Sequence, residues 1–326
     1  MDIKELNILF LAKFAPNEDD ESPLITENTD GIYAQYHYDV YRILKNICPN
    51  TNCARNPDIL LNGSKKFDYV FTLLNRAPYR NSEIFVSALL EYLQIPYLGS
   101  TPNIRALAED KHLAKLAAKQ SGLSTPDWII VNVNDNIPIS KPFEGPFFVK
   151  PRFGASSAYI DENSIASNWN QAQKRINQLQ QANLDVIVEK FADGMYYSVP
   201  IYFKNNQIIH LPAIEEKSSL PGNVVTYRQK RKLDTGLTRN IITRSDLQQH
   251  FVKLSDDFLR DITPLDYTRI DFIVTNNSIE FIEFNICCNL GKQSSFCIAA
   301  NSVGISQETL IKEILLNSLC RQNVLG

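Results

Sequence analysis

The stretch Tyr267 to Asn285, YTRIDFIVTNNSIEFIEFN, alternates apolar and polar side chains on both sides of a polar turn and reads as a β-hairpin. With Asn276, Asn277 and Ser278 as the loop, Asp271 lies opposite Glu283 and Arg269 opposite Asn285, and all four project from one face. Ile270, Phe272, Val274, Ile282 and Phe284 fill the other face and predict a core surface. Two carboxylates directly across a ladder repel each other. A divalent cation removes that conflict, and the oxygen set Asp271, Glu283 and Asn285 suits Mg²⁺, with Mn²⁺ as an alternative. The competing readings are a solvated strand face with scattered charges, or a two-residue loop that turns Asp271 and Glu283 to opposite faces.

The rest of the chain limits the class. At 326 residues it is long enough for two or three compact units. Its 33 Lys+Arg against 36 Asp+Glu leave a net charge of -3, which removes the basic footprint of a general nucleic-acid binder. No apolar run reaches the roughly 18 residues of a membrane helix, and the first residues lead straight into a buried strand with no secretory leader, so a cytoplasmic protein is expected. Cys48, Cys53, Cys287, Cys288, Cys297 and Cys320 form no CxxC pair and are expected to be reduced and mostly buried.

Apolar runs at Leu6 to Ala12, Tyr69 to Leu74 and Pro96 to Gly99 alternate with helical patterns at Tyr33 to Lys45 and Glu83 to Leu93. They predict a small parallel α/β domain over residues 1–103. One helix is expected from a cap at Ser100 or Thr101 to a stop at Gly122, with Lys111 on its polar side. The apolar strand Phe147 to Val149 ends in Lys150 and opens into Gly154, Ala155, Ser156 and Ser157, side chains small enough for backbone N–H groups to approach phosphate, or for an ordinary loop. A polar helix from Ser164 to Gln181 precedes the strand Val186 to Val188, which ends in Glu189. Residues 104–189 form a second expected unit and 190–326 a third. Within the third, Lys217 to Lys232 reads as a loop with a cluster of Arg228, Lys230, Arg231 and Lys232, expected to order over phosphates. A terminal helix starts near Ser306.

Taken in order, IPYLGS, DKHLAK, VKPRFGASSAY, VEKFADGMYYSV, TYRQKRKL and the hairpin resemble the ATP-grasp superfamily, and within it the D-alanine:D-alanine ligases. The resemblance implies an α/β fold, α+β in its C-terminal part, with a Rossmann-like domain before the ATP-grasp unit. It implies that Lys111 and Lys150 bind the α- and β-phosphates of ATP beside Ser157, and that Glu189 meets the adenine amino group near the backbone of Lys190 and Ala192. Lys230 would close over the γ-phosphate. Asp271, Glu283 and Asn285 match the magnesium ligands, Arg269 the arginine on the tetrahedral intermediate, and Ser156 and Ser294 the hydroxyls that hold substrates. The implied activity is an ATP- and Mg²⁺-dependent ligation of small amino-acid-like substrates through an acyl phosphate, releasing ADP and phosphate. The alternatives are a genuine D-alanine:D-alanine ligase of cell-wall synthesis and a non-catalytic nucleotide-binding relative. Partners are small carboxylates and amines, with no nucleic acid and no membrane, and a homodimer as the assembly to test.

The departures are specific. Tyr196 stands where the family has a glutamate for the ribose hydroxyls, and Arg231 replaces a substrate-side tyrosine. Cys287, Cys288 and Asn289 replace a threonine, proline and glycine, which brings Asn289 beside the substrate. Leu73-Leu74-Asn75-Arg76 stands in place of a His-Gly pair, and Glu27 is the candidate for the amino-group grip. Arg231 and Asn289 together predict that D-alanine fits poorly and that a substrate carries an extra anionic or strongly polar group.

Overall fold

The computed structural model describes residues 2–19, 21–24, 31–63, 67–75, 82–154, 157–230 and 235–325. Glu27, Arg76, Ser156, Arg231 and Lys232, all singled out from sequence, lie outside the described residues. The chain opens with β1 (Ile8–Leu11), α1 (Gly31–Ile47), β2 (Asn52–Ala54), α2 (Asp58–Gly63), β3 (Tyr69–Thr72) and α3 (Ser82–Leu93). The strands form a parallel sheet in the order β2-β1-β3. Every residue of β1 and β3 is buried, as a parallel sheet covered on both faces requires. Leu9, Leu11 and Val70 pack with Leu60, Val86 and Leu90, and Ile8, Phe10 and Phe71 with Val40 and Leu44 of α1. The strand expected at Pro96 to Gly99 is reduced to a single parallel bridge, Tyr97 to Val70.

The single helix expected up to Gly122 is two, α4 (Pro102–Glu109) and α5 (Lys111–Gln120). Asp110 breaks it. Its backbone is extended (φ -90°, ψ 102°), its carboxylate accepts from His112 N–H as the N-cap of α5, and Arg152 grips both carboxylate oxygens at 2.9 and 2.6 Å. Arg152 lies beyond the strand that ends in Lys150, so the break is held by a contact that periodicity does not report.

Next come β4 (Trp128–Val131), β5 (Phe147–Pro151), β6 (Ile165–Ala166), α6 (Trp169–Gln181) and β7 (Val186–Lys190). The strands make an antiparallel sheet in the order β4-β7-β5-β6, with Trp169, Ala172, Ile176 and Leu179 of α6 packed on Phe147, Val149 and Val188. The last part contains β8 (Met195–Lys204), β9 (Gln207–His210), β10 (Ile214–Ser218), α7 (Tyr227–Lys230), β11 (Leu237–Ile241), α8 (Ser245–Leu259), β12 (Tyr267–Val274), β13 (Ile279–Asn285), α9 (Ser295–Ser302) and α10 (Gln307–Arg321). Its six-stranded sheet runs β11-β10-β8-β12-β13, with β9 paired to β8. The stretch read as a loop from Lys217 begins inside β10, passes a short turn of helix at Pro221–Asn223 and ends, among the described residues, in α7.

The first unit is docked on the last. Leu310, Ile311 and Ile314 of α10 share one core with Tyr69 and Phe71 of β3. Within that contact Tyr69 Oη donates to Ser318 Oγ (2.7 Å), Ser318 Oγ to Asp266 Oδ2 (2.7 Å), and Arg321 pairs with the same buried Asp266. A buried polar network of this kind penalises any sliding between the units, because each slipped group loses its partner in a low-dielectric setting.

Candidate functional site: two cavities that share a wall

The hairpin is formed by β12 and β13, and its register differs from the expectation in an instructive way. The connection has four residues, Thr275 to Ser278, which pairs Val274 with Ile279 and Phe272 with Phe281. Continued unbroken, that register would face Asp271 with Ile282. A bulge between Asp271 and Phe272 shifts it, so that Asp271 pairs with Glu283 and Arg269 with Asn285 as expected. Ile282 is buried as expected and, with Glu283, also lines a cavity, while Phe281 and Phe284 pack with Phe272 and Ile270.

That cavity lies between the four-stranded and six-stranded sheets. Phe148, Phe191, Ile273 and Ile282 give it apolar walls, and Lys111, Lys150, Ser157, Lys190, Ala192, Tyr196, Lys230 and Glu283 give it polar edges. Gly222, at φ +65°, lets the turn at Pro221–Asn223 close against it; a Cβ there would sit 2.6 Å from the Phe191 ring. A flat aromatic base fits such walls, and the lysines fit the phosphates that follow it.

At one edge Glu189 is buried between two lysines, 2.8 Å from Lys150 Nζ and 3.0 Å from Lys115 Nζ. The second contact is an ion pair whose Glu189 Oε1 is sealed from solvent. Burial opposes the charge on Glu189, yet the two ammonium groups hold its carboxyl down at about 2. Lys115 also donates to Thr125 Oγ1 (2.7 Å), which donates to Phe281 O (2.8 Å), so the hairpin and the nucleotide wall are tied together. Sequence reading missed Lys115. The available signal was its place in DKHLAK, one helical turn after Lys111. Lys111, expected on a polar face, is buried at the start of α5, and its Nζ donates to Gly154 O at 2.7 Å. Burial pulls the pKa of both Lys111 and Lys115 down to about 8.

Arg269 holds Asp271 bidentately, Nε to Oδ1 at 2.7 Å and Nη2 to Oδ2 at 2.6 Å. Tyr196 Oη (2.6 Å) and Asn285 Nδ2 (2.9 Å) donate to the same Oδ2. The residue that departs from the family at the ribose position therefore contacts a carboxylate expected among the metal ligands. Glu283 is different: its one ion-pair contact among the described residues is Arg269 Nη2 at 3.9 Å. Burial works against its charge, but Lys230, Lys111, Lys150 and Arg269 hold its carboxyl down at about 2. An anionic carboxylate with no donor on it is a fit for a hard cation, and Asn285 follows two residues later in the same strand, its amide Nδ2 already on Asp271. Among the described residues no group of three or more His, Cys, Asp and Glu side chains gathers to hold a metal. A cation here would take Glu283, Asn285 and Asp271 together with phosphate oxygens, in place of part of the Arg269 contact.

A second cavity, of about 580 Å³, lies between α1 and the hairpin. Arg269, Asn285, Asn289 and Ser294 line it, facing Phe14, Tyr36 and His37. Ser294 is the N-cap of α9, its Oγ accepting from Cys297 N–H, and Asn289 Oδ1 accepts from Gly291 N–H, so both have a local structural partner as well as a cavity face. Glu216, also missed from sequence, lines the same cavity and accepts from Arg239 Nε at 3.1 Å. Cys287 and Cys288 lie there too, with burial pushing both thiols up, Cys287 even against the Arg105 guanidinium that touches it. Protonated thiols of this kind are poor nucleophiles. The two cavities meet: Lys111, Gly154, Lys230 and Glu283 line both.

The family described as D-ala D-ala ligase C-terminus matches residues 118–316. The D-alanine–D-alanine ligase of Clostridium beijerinckii is 27% identical over 264 residues, covering 80% of this chain and 84% of that protein. The ligase of the same name from Pediococcus pentosaceus is 25% identical over 307 residues, 92% of this chain and 76% of that one. In structure, the D-alanine–D-alanine ligase of Bacillus anthracis complexed with ATP matches with a TM-score of 0.74 at 17% identity, over 98% of this chain and all of the other. The family match spans the four-stranded and six-stranded sheets, the hairpin, and Gly154, Lys230 and Glu283 of the shared wall, and the fold likeness covers 98% of the chain. The chain belongs to the D-Ala D-Ala ligase C-terminal family and has the ATP-grasp fold.

Proposed function

We propose that the chain joins two small amino-acid-like substrates through an amide bond, with the nucleotide in the cavity between the sheets and the acid and amine in the cavity beside α1. The coarser part comes with the family: an ADP-forming, ATP-grasp carboxylate–amine ligase that uses ATP and Mg²⁺. The observation that carries the finer reading is the shared wall. A phosphoryl group at the inner end of the nucleotide cavity emerges beside Lys111, Gly154, Lys230 and Glu283, where a carboxylate in the second cavity can reach it.

In this reading a carboxylate oxygen of the acid attacks the γ-phosphorus, the bond to the β–γ bridging oxygen breaks, and ADP leaves. The amine nitrogen then attacks the acyl carbon, loses a proton, and inorganic phosphate leaves with its bonding electrons. The protein's part is alignment and charge compensation. Lys111, Lys150 and Lys230 bring positive charge to the phosphates, and Gly154 lets backbone approach them. Arg269 is the cation nearest the developing oxyanion. Asp271, Glu283 and Asn285 hold the Mg²⁺, which when bound supplies further compensation for phosphate charge. No side-chain nucleophile is required. The units 1–103, 104–189 and 190–326 are taken as first domain, nucleotide-covering subdomain and hairpin-bearing domain.

A second reading, ligation of two D-alanines, is favoured by the names of the relatives and by the chain's coverage of 84% of one of them. An ADP-release screen over D- and L-amino acids, hydroxy acids and small amines, with products weighed by mass spectrometry, separates the two. Efficient D-alanyl-D-alanine synthesis selects the second; ADP release that no acid stimulates counts against both.

A further inference from the structure

We propose that His37 is a substrate-binding residue of the second cavity, presenting Nε2–H as a neutral donor to a carboxylate or carbonyl oxygen of the acid substrate. The proposal rests on the ligase reading of that cavity and names a residue that no sequence motif singled out.

His37 lies on α1, is 5% exposed, and lines the cavity. The Phe14 backbone N–H donates to its Nδ1 at 3.1 Å. A backbone N–H can only donate, so Nδ1 carries no proton and a neutral ring must carry it on Nε2. Burial holds the ring neutral, its pKa pulled down to about 3. Three rings fix its plane: Tyr36, Phe14 and Phe10, with centroids at 4.8, 5.7 and 6.3 Å. Tautomer, charge and orientation are thus all set by the fold before any ligand arrives.

The other nitrogen is the free one. Nε2 has no hydrogen-bond acceptor among the described residues, and the ring lines the second cavity. An unfilled donor set in a wall of Phe14, Ile32, Tyr33 and Tyr36 is costly to desolvate unless the ligand supplies an acceptor. Lys13, Lys230 and Arg269 line the same cavity beside Asp39, Glu83, Glu109, Glu216 and Glu283, so a carboxylate there depends on individual partners and not on net charge. A neutral donor adds direction without adding charge, which helps hold a carboxylate without neutralising the oxygen that must attack phosphorus.

Two isosteric substitutions separate this role from a structural one. His37→Asn keeps an acceptor where Nδ1 meets Phe14 N–H and removes the Nε2 donor; His37→Gln reaches the Nε2 position with an amide N–H and gives up the Nδ1 contact. The expected result is a rise of roughly tenfold or more in KM for the acid in His37→Asn, the size of a lost hydrogen bond to a charged oxygen, with KM for ATP unchanged and most of the loss recovered in His37→Gln. A wild-type acid KM in His37→Asn, with impairment confined to His37→Gln, overturns the proposal in favour of a purely structural histidine. The ¹⁵N resonances of the His37 ring give an independent readout with D-alanine and the other acids of the screen as probes. The Nε2 signal should move on addition of the acid that stimulates ADP release. If no acid stimulates ADP release, the ligase reading fails separately, and an Nε2 signal that no probe moves overturns the histidine assignment as well.

Discussion

Under the proposed function, Glu283 and Asp271 of the hairpin contribute in different ways. Glu283 has no hydrogen-bond donor on it among the described residues, but four cations act on it and hold its carboxyl down, so its neutralisation should cost some stability as well as a ligand. Glu283→Gln is expected to lower kcat by roughly 100-fold or more, a loss far larger than its modest fall in thermal midpoint accounts for. Near-normal ADP release from this variant would remove Glu283 from the site. Asp271 is held by Arg269, Tyr196 and Asn285, so Asp271→Asn should cost stability as well as turnover. Tyr196 tests the departure from the family directly. Tyr196→Phe keeps the cavity wall but deletes one donor to a buried carboxylate, a contact of about 1.5–3 kcal/mol. It should raise the Mg²⁺ concentration needed for half-maximal rate by about tenfold, with nucleotide binding in EDTA unchanged. An unaltered Mg²⁺ requirement would show that the phenol does not position Asp271.

At the level of elements, the Lys115–Glu189–Lys150 cluster makes β7, β5 and α5 interdependent. Glu189→Gln leaves two buried ammonium groups without their counter-charge and should destabilise the fold by about 3–5 kcal/mol in denaturant titrations. The pH dependence has a definite sign. The folded pKa of Glu189, about 2, lies below its ordinary 4.5, so its contribution is complete above 4.5 and is lost as pH falls toward 2. Stability of the native chain should drop across that window by more than that of Glu189→Gln; parallel curves would contradict the cluster's role. This cluster was half legible in the sequence. Lys150 and Glu189 end apolar strands and announce themselves, whereas Lys115 sits in a helix whose break at Asp110 depends on Arg152, 42 residues away. The hairpin shows the same limit. Period-two alternation correctly paired Asp271 with Glu283, but the turn is one residue longer than assumed and a bulge restores the register, a compensation invisible to a pattern with no partner strand. Glu216, Arg239 and His37 come from elements that carry no motif, and only the packing of α1 and β10 around one cavity brings them together.

For the whole molecule, the decisive feature is that three sheets are docked so that two cavities share Lys111, Gly154, Lys230 and Glu283. The dock of α10 on β3 through Tyr69, Ser318 and Asp266 fixes the first unit, which contributes α1 to the second cavity. Among the described residues no helix is long and apolar enough to cross a membrane. In the proposed reaction a carboxylate oxygen crosses the shared wall to the γ-phosphorus. The acid that stimulates ADP release, labelled with ¹⁸O in its carboxylate, tests this step with ATP, Mg²⁺ and the amine. One ¹⁸O atom should reach inorganic phosphate for each amide formed; phosphate that carries no label, or whose new oxygen comes from water, rules the step out.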